Sequence, residues 1–389
     1  MLDIPSGEAT LATILKFDSK TTSYKIALLR AINDLALAYP DLTATGRDIA
    51  IPLKRIAEFW IAYYWPFADE QHPIYQGSRA ERAGALRNDL SFRPALARLR
   101  EQWQQSVQLT VLPSDGFFLA SDMRTPRRRA TYAPALQQAY DSAVSAIATA
   151  VQMPIRYAGP EQWMIFGKPT QLGSLLSAVV ALPGTNEREV CVVVKAPLWA
   201  AFHRLSLYIE ALSIHEWSLF TETINLKQAN PVTRGQAYTL LTARPDNRRP
   251  LSWERNQVDV LLLEQVPFVC PWTRKPIRKP QEYDLDHLLP LAVYPVNELW
   301  NLLPVDREFN QRIKRDRVPS SQRLLEAEPW LAESYRTYAH SASLGAAVQE
   351  DAGLRFSGVR TQPDFAAALA HQAIDFIDGV AAARYVMRF

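Results

Sequence analysis

The sequence predicts an α+β, multi-domain chain that is mostly helical, with short β-prone pieces between the helices. Three observations predict it. The chain has 389 residues, of which 48% are apolar and 21% charged, enough to build more than one core. Apolar residues recur with the helical period along most of its length, whereas strand-like runs are few and short. There is no internal repeat and no low-complexity tract that would point to a solenoid or a disordered chain.

Taken in order, Thr22 and Ser23 precede an apolar-periodic run from Tyr24 to Tyr39, which predicts a capped helix. Asp48 to Pro52 is β-prone and leads into a second helix, Leu53 to Tyr64. That helix carries the aromatic run Phe59, Trp60, Tyr63, Tyr64 and Trp65, read as core rather than as a base-stacking platform. Ser78 to Arg87 and Pro94 to Gln105 read as helices. Val107 to Leu112 and Phe117 to Ala120 flank Pro113-Ser114-Asp115-Gly116 and read as a hairpin, so that helices and hairpin together suggest a winged-helix module. Arg124 and Arg127 to Arg129 form a basic loop, either solvated or touching nucleic acid. Ala133 to Gln152 predicts a helix, Trp163 to Phe166 and Val190 to Lys195 predict strands, and Pro197 to Asn225 one long helix. Asp246 to Pro250 is a polar break. Glu254 to Gln265 is helical, as are Ser321 to Tyr338, Ser341 to Asp351 and Pro363 to Met387. The domains expected are 1–130, helical with the suggested winged module; 131–250, α/β; 251–325, small and chemically rich; and 326–389, helical.

Much is excluded. Two cysteines, Cys191 and Cys270, far apart in sequence, argue against a disulfide framework and for a reducing, cytoplasmic setting. Met1 to Lys20 lacks the basic and apolar pattern of a signal peptide, and no apolar run approaches the roughly 18 residues of a membrane span. Gly167-Lys168-Pro169-Thr170 is an incomplete phosphate loop, and His215-Glu216 with Leu219 is half of a zinc-protease motif.

Net charge is only +3, but it is localised. Pro267 to Arg323 holds 10 basic and 7 acidic residues, while the rest of the chain holds 33 of each. Within this window lie Tyr283-Asp284-Leu285-Asp286-His287-Leu288-Leu289-Pro290, then Asn301-Leu302, then Asn310, Lys314 and Val318-Pro319-Ser320. Asp286 and His287, adjacent in a β-prone run, point to opposite faces, so one can bind a cation while the other faces a substrate. A carboxylate and an amide oxygen suit a hard divalent cation, and a neutral histidine can take a proton from water near pH 7. Asp284 shares a strand face with Asp286 and is expected to be solvated or to pair with a nearby arginine rather than to join the site.

This segment resembles the HNH nucleases, the ββα-metal endonucleases, whose pattern is Asp-His-x-x-Pro, an Asn-Leu, and an Asn followed closely by Lys. The likeness covers about residues 267–322 and extends to the HNH domains of RNA-guided nucleases, which share the Tyr-Asp-x-Asp-His start and a Val-Pro-Ser. It implies a ββα-metal HNH nuclease domain near the C-terminus, flanked by mostly helical regions. His287 would be the general base, and Asn301 would brace the loop that aims it. Asp286 and Asn310 would hold a divalent metal, Mg²⁺ in the first place and Mn²⁺ as the alternative. Lys314 would meet phosphate, with Arg312, Arg315 or Arg317 as substitutes, because the gap from Asn310 to Lys314 is one residue longer than the usual Asn-x-x-Lys. Cys270-Pro271-Trp272-Thr273 replaces the second cysteine of the zinc knuckle that many members carry, which disfavours structural zinc; Trp272 and Trp300 would supply packing instead.

The expected activity is therefore metal-dependent hydrolysis of double-stranded DNA, with a role in restriction or anti-phage defence suggested by association. An RNA-cleaving nuclease or toxin on the same chemistry, and a nucleic-acid binder with a decayed site, are the alternatives. The upstream region, balanced in charge, would reach DNA through a local face such as Arg124 to Arg129, or else meet a protein partner or a second copy of the chain.

Overall fold

The computed structural model describes residues 6–389 except 79–80, 83–84, 87–88, 108–109, 176–177, 229, 244–250, 295–296 and 357. The chain divides into two compact units, 1–244 and 245–389. It is mostly helical, with small sheets. No helix among the described residues is long and apolar enough to cross a membrane.

The first unit contains α1 (Gly7–Ala12), α2 (Tyr24–Ala38), β1 (Asp48–Pro52), α3 (Leu53–Tyr64), β2 (Glu81–Arg82), β3 (Ala85–Leu86), α4 (Arg93–Val107), α5 (Asp115–Arg124), α6 (Pro126–Arg129) and α7 (Pro134–Tyr157). It continues with β4 (Thr170–Gln171), β5 (Val179–Ala181), β6 (Val190–Val194), α8 (Ala196–Arg204), α9 (Ser206–Asn225) and α10 (Arg234–Leu241). Helix α2 is apolar nearly all round and is therefore buried on every side, with α3, α7, α8 and α9 packed about it. Its buried Arg30 donates to the Leu241 carbonyl at 3.2 Å, and its buried Asn33 to that of Ser206 at 3.2 Å. Strand β1 lies between β6, antiparallel, and β5, parallel, and β4 extends the sheet beyond β6. Trp60, Tyr63, Tyr64 and Trp65 are buried, so the aromatic run is core; Tyr64 stacks edge-on with Phe92 and packs on Trp217, each at a centroid distance of 5.1 Å.

The second unit contains α11 (Ser252–Leu263), β7 (Phe268–Val269), β8 (Pro276–Ile277), β9 (Tyr283–His287), β10 (Leu302–Asp306), α12 (Arg307–Phe309), α13 (Ser321–Tyr338), α14 (Ala342–Arg355) and α15 (Phe365–Ala383). A wider five-residue turn, Asn310–Lys314, continues α12. Strands β9 and β10 pair antiparallel, with His287 opposite Leu302 and Tyr283 opposite Asp306. Helix α13 packs on α15 and fastens the start of β10. The Tyr335 and Tyr338 hydroxyls donate to the carbonyls of Trp300 and Leu302, each at 2.6 Å. Those carbonyls are thus satisfied in a buried position.

Several sequence expectations are corrected. Of the helix expected over 78–87, residues 79–80, 83–84 and 87 lie outside the described residues, and the described part is not helical: β2 and β3 pair as a ribbon. The reason lies at its ends, because the Gln76 N–H donates to Asp89 at 2.6 Å, whereas a ten-residue helix would hold its ends about 15 Å apart. Phe117 to Ala120 lies in α5 rather than in a hairpin strand, and the expected winged module is absent there; part of the first expected strand, 108–109, lies outside the described residues. Gly116 is glycine for contact, not for a turn: a Cβ there would meet Trp65 Cβ at 2.8 Å and Ala62 Cα at 2.9 Å. Trp163 to Phe166 is irregular, with Trp163 at φ +61°. The long helix expected over 197–225 breaks at Leu205 into α8 and α9. Ser23 makes no capping bond, since its hydroxyl bonds that of Tyr64 at 2.8 Å. The polar break at 246–250 lies outside the described residues.

Candidate nuclease site

The site is built on β9 and the turns that follow β10. Strand alternation buries Tyr283 and Leu285 on one face and turns Asp284 and Asp286 to the other. Asp284 pairs with Arg307 at 3.1 Å and also accepts from Gln311 at 3.1 Å, the second of the two expected outcomes. Asp286 pairs with Lys314, whose ammonium is 2.8 Å from Oδ2 and also donates to the His287 carbonyl at 2.9 Å. Lys314 is 1% exposed, so its charge is spent on Asp286 inside the protein rather than offered to solvent. Burial pushes the Asp286 carboxyl up to about 6, against the pull of Lys314.

Asn310 sits at the start of the wider turn that carries Lys314 at its end, which is how both reach β9. Its amide Nδ2 lies 3.4 Å from Asp284 Oδ2, which orients the group, and its Oδ1 is buried with no hydrogen-bond partner among the described residues. The turn closes with the Arg315 N–H donating to the Asn310 carbonyl at 2.8 Å. Arg315 itself has φ +52°, a region costly for a non-glycine residue, by about 1–3 kcal/mol.

His287 ends β9 with its ring half-buried, and its Nε2 lies 2.8 Å from Asn297 Oδ1. Asn301 is fully buried: its Oδ1 accepts from the Leu289 N–H at 2.8 Å, its Nδ2 donates to the Leu289 carbonyl at 3.1 Å, and its own carbonyl accepts from the Leu288 N–H at 2.8 Å. It therefore staples the chain leaving His287 to the start of β10.

The basic residues part company. Arg312 is exposed and pairs with Glu308 at 2.7 Å; Arg315 is exposed; Arg317 lies over the Phe389 ring at 5.8 Å. Arg317, Arg323 and Arg388 line one open groove of about 660 Å³ with Ile313, Gln322 and Phe389. In the first unit, by contrast, the cluster at 124–129 is largely neutralised: Arg128 meets Asp122 at 3.6 Å and Arg129 meets Asp141 at 2.6 Å. Around Cys270 the β7–β8 hairpin closes by backbone bonds, Cys270 N–H to Lys275 and Arg274 N–H to Cys270, each at 2.9 Å. Trp272 packs edge-on to Phe389 and Trp300 to Phe356 and Phe376. Among the described residues no three His, Cys, Asp or Glu side chains are grouped to hold a metal.

The family model for HNH endonucleases matches residues 270–320, the segment that holds the strand ending in Asp-His, Asn301, and the second strand leading into the turn that opens at Asn310. The chain as a whole belongs to the family of a domain of unknown function, DUF8808, whose model covers residues 6–241. No curated protein and no solved structure matches it. The HNH match ties the chain to nucleases and thus to a nucleic-acid substrate.

Sequence reasoning did not find Asn297, Glu298, Asp351 or Arg355. Glu298 is buried and paired with Arg355 at 3.2 Å, and Asp351 accepts from the Leu299 N–H at 2.8 Å. Charged residues inside otherwise apolar, helical stretches were the only signal in the sequence.

Proposed function

We propose that this protein is a metal-dependent HNH endonuclease that hydrolyses DNA phosphodiester bonds. One observation carries the reading: Asn310 Oδ1 is buried with no hydrogen-bond partner among the described residues, and the turn that Asn310 opens also brings Lys314 to within 2.8 Å of the buried Oδ2 of Asp286, next to His287 in sequence. Two such oxygens fit a hard divalent cation of the Mg²⁺ type, leaving positions for water and phosphate. When bound, the cation would neutralise charge at the scissile phosphate and the leaving oxygen. Lys314 Nζ stands where positive charge is already required, which supports the same reading.

His287 takes a proton from the attacking water. The water oxygen then forms its bond to phosphorus as the bond to the leaving sugar oxygen breaks. Asn301 holds the backbone at 288–289, so that His287 does not drift. Contact with flanking phosphates falls to Arg312, Arg315 and Arg317, since Lys314 is buried against Asp286. The antiparallel pair β9–β10 running into α12 is the layout expected of a ββα-metal domain. We read 251–325 as the nuclease domain and the first unit as a recognition or regulatory region, an arrangement that fits restriction or anti-phage defence.

The test is cleavage of duplex DNA, single-stranded DNA and total RNA by the purified protein with Mg²⁺, with Mn²⁺ and with EDTA. Duplex DNA should be cut with metal and spared with EDTA, and His287→Ala should abolish cutting without loss of fold. Unchanged cutting by His287→Ala would sink the mechanism; cutting of RNA alone would move the substrate.

A further inference from the structure

We infer that Asn297 is a positioning residue for His287, and that helix α14, outside the matched nuclease segment, sets its place. The inference rests on the reading of His287 as the base. Asn297 is 3% exposed, and its Oδ1 lies 2.8 Å from His287 Nε2. With an oxygen as acceptor, Nε2 carries the proton, and Nδ1 is the nitrogen that accepts one from water. An imidazole on a strand end can rotate about its side-chain bonds, and one fixed acceptor selects both its tautomer and its ring plane.

Asn297 lies in the connection between β9 and β10, just before the single-turn 3-10 helix Leu299–Asn301, and is itself in neither helix nor strand. The residues that follow it are held from α14 and α15. The next residue, Glu298, is 4% exposed and pairs with Arg355 at the end of α14. The Arg355 guanidinium also donates to the Tyr294 hydroxyl at 3.2 Å and lies over the Tyr294 and Phe376 rings at 5.3 and 5.4 Å. Trp300 Nε1 donates to the other Glu298 oxygen. Asp351, fully buried one turn earlier on α14, accepts from the Leu299 N–H. Two charged side chains of one helix thus grip the backbone and side chain immediately after Asn297. A buried ion pair tolerates little movement, because breaking it leaves an uncompensated charge. The functional nuclease therefore extends to residue 355 at least, well past the segment that carries the motif.

Two measurements test this. Histidine-selective ¹⁵N NMR of the metal-free protein, with His287→Ala to assign the signal, should show His287 protonated on Nε2. Asn297→Ala should convert it to a tautomer mixture, and Asn297→Asp, which keeps an oxygen in place, should restore the pattern. In cleavage assays Asn297→Ala should lower kcat about 10- to 100-fold with little change in KM, and Asn297→Asp should recover most of it. Arg355→Met should reproduce the tautomer change; where that variant does not fold, Asn297→Ala with its Asp rescue decides. A wild-type His287 protonated on Nδ1, or a tautomer unchanged by Asn297→Ala, overturns the inference even if the protein cuts DNA. The expected tautomer pattern in a protein that cuts nothing leaves the positioning intact and overturns the catalytic reading instead.

Discussion

Lys314 and Asp286 concentrate the physics of the site. Their contact is 2.8 Å, and both side chains are buried or nearly so. Lys314→Met should destabilise the metal-free protein by about 3 kcal/mol at pH 7.5, since it strands a buried carboxylate. The cost should shrink at pH 5, where Asp286 is protonated; equilibrium urea unfolding at the two pH values checks it. The sign of the Asp286 shift also fixes a pH dependence. Its folded-state value near 6 lies above the ordinary 3.8, so this group favours the folded state at low pH, and that contribution is lost as pH rises from about 4 to about 6. A cation needs the ionised form. Calorimetric Mg²⁺ or Mn²⁺ affinity should therefore fall as pH drops below about 6, by up to tenfold per unit, and an affinity constant from pH 5 to 7.5 would remove Asp286 from the ligand set. Asn301→Ala should leave the Leu289 N–H and carbonyl unpaired in a buried position, costing about 2–4 kcal/mol by the same unfolding measurement.

At the scale of elements, close approach decides what local preference does not. Helix α5 crosses α3 at Gly116, where any side chain would strike the α3 backbone at Ala62. Gly116→Ala should lower thermal stability by about 1–3 kcal/mol, visible as a fall in melting temperature, although alanine is the better helix former. A side chain accommodated without loss would mean that the two helices can part. Pro113-Ser114-Asp115-Gly116 has the composition of a turn, and the hairpin expectation followed from it. What the composition hid was that Asp115 is tied to Trp103 Nε1 at 3.0 Å and to the Leu112 N–H at 2.9 Å. The helices whose apolar faces repeat over several turns were legible within a few residues, as in Leu53 to Tyr64 and Ser321 to Tyr338, because there local period and tertiary burial agree.

For the whole molecule, the charge excess noted in the sequence falls in the second unit, where Arg317, Arg323 and Arg388 border a common groove. If phosphates lie there, Arg317→Ala should weaken DNA binding regardless of base sequence. It should also flatten the plot of log K against log salt by about one unit, and an unchanged slope would place the DNA elsewhere. Arg388 joins this groove from the end of the chain, where the backbone of Phe389 bonds Val318 at 3.0 Å and accepts from Ser320 at 3.1 Å. Residues 388–389 are thus built into the second unit.

The sequence by itself carried the motif on which the proposed site rests. Asp286, His287, Asn301 and Asn310 stand at spacings that a strand, a loop and a turn must satisfy whatever surrounds them, and that local arithmetic is written in the chain. Tertiary structure alone decided which cation Asp286 meets, that Lys314 is buried rather than exposed, and that Asn297, Asp351 and Arg355 stand behind His287. Those contacts join residues 10 to 57 positions apart. They arise from burial, which makes unpaired charge costly, and no local periodicity records which distant partner will relieve it.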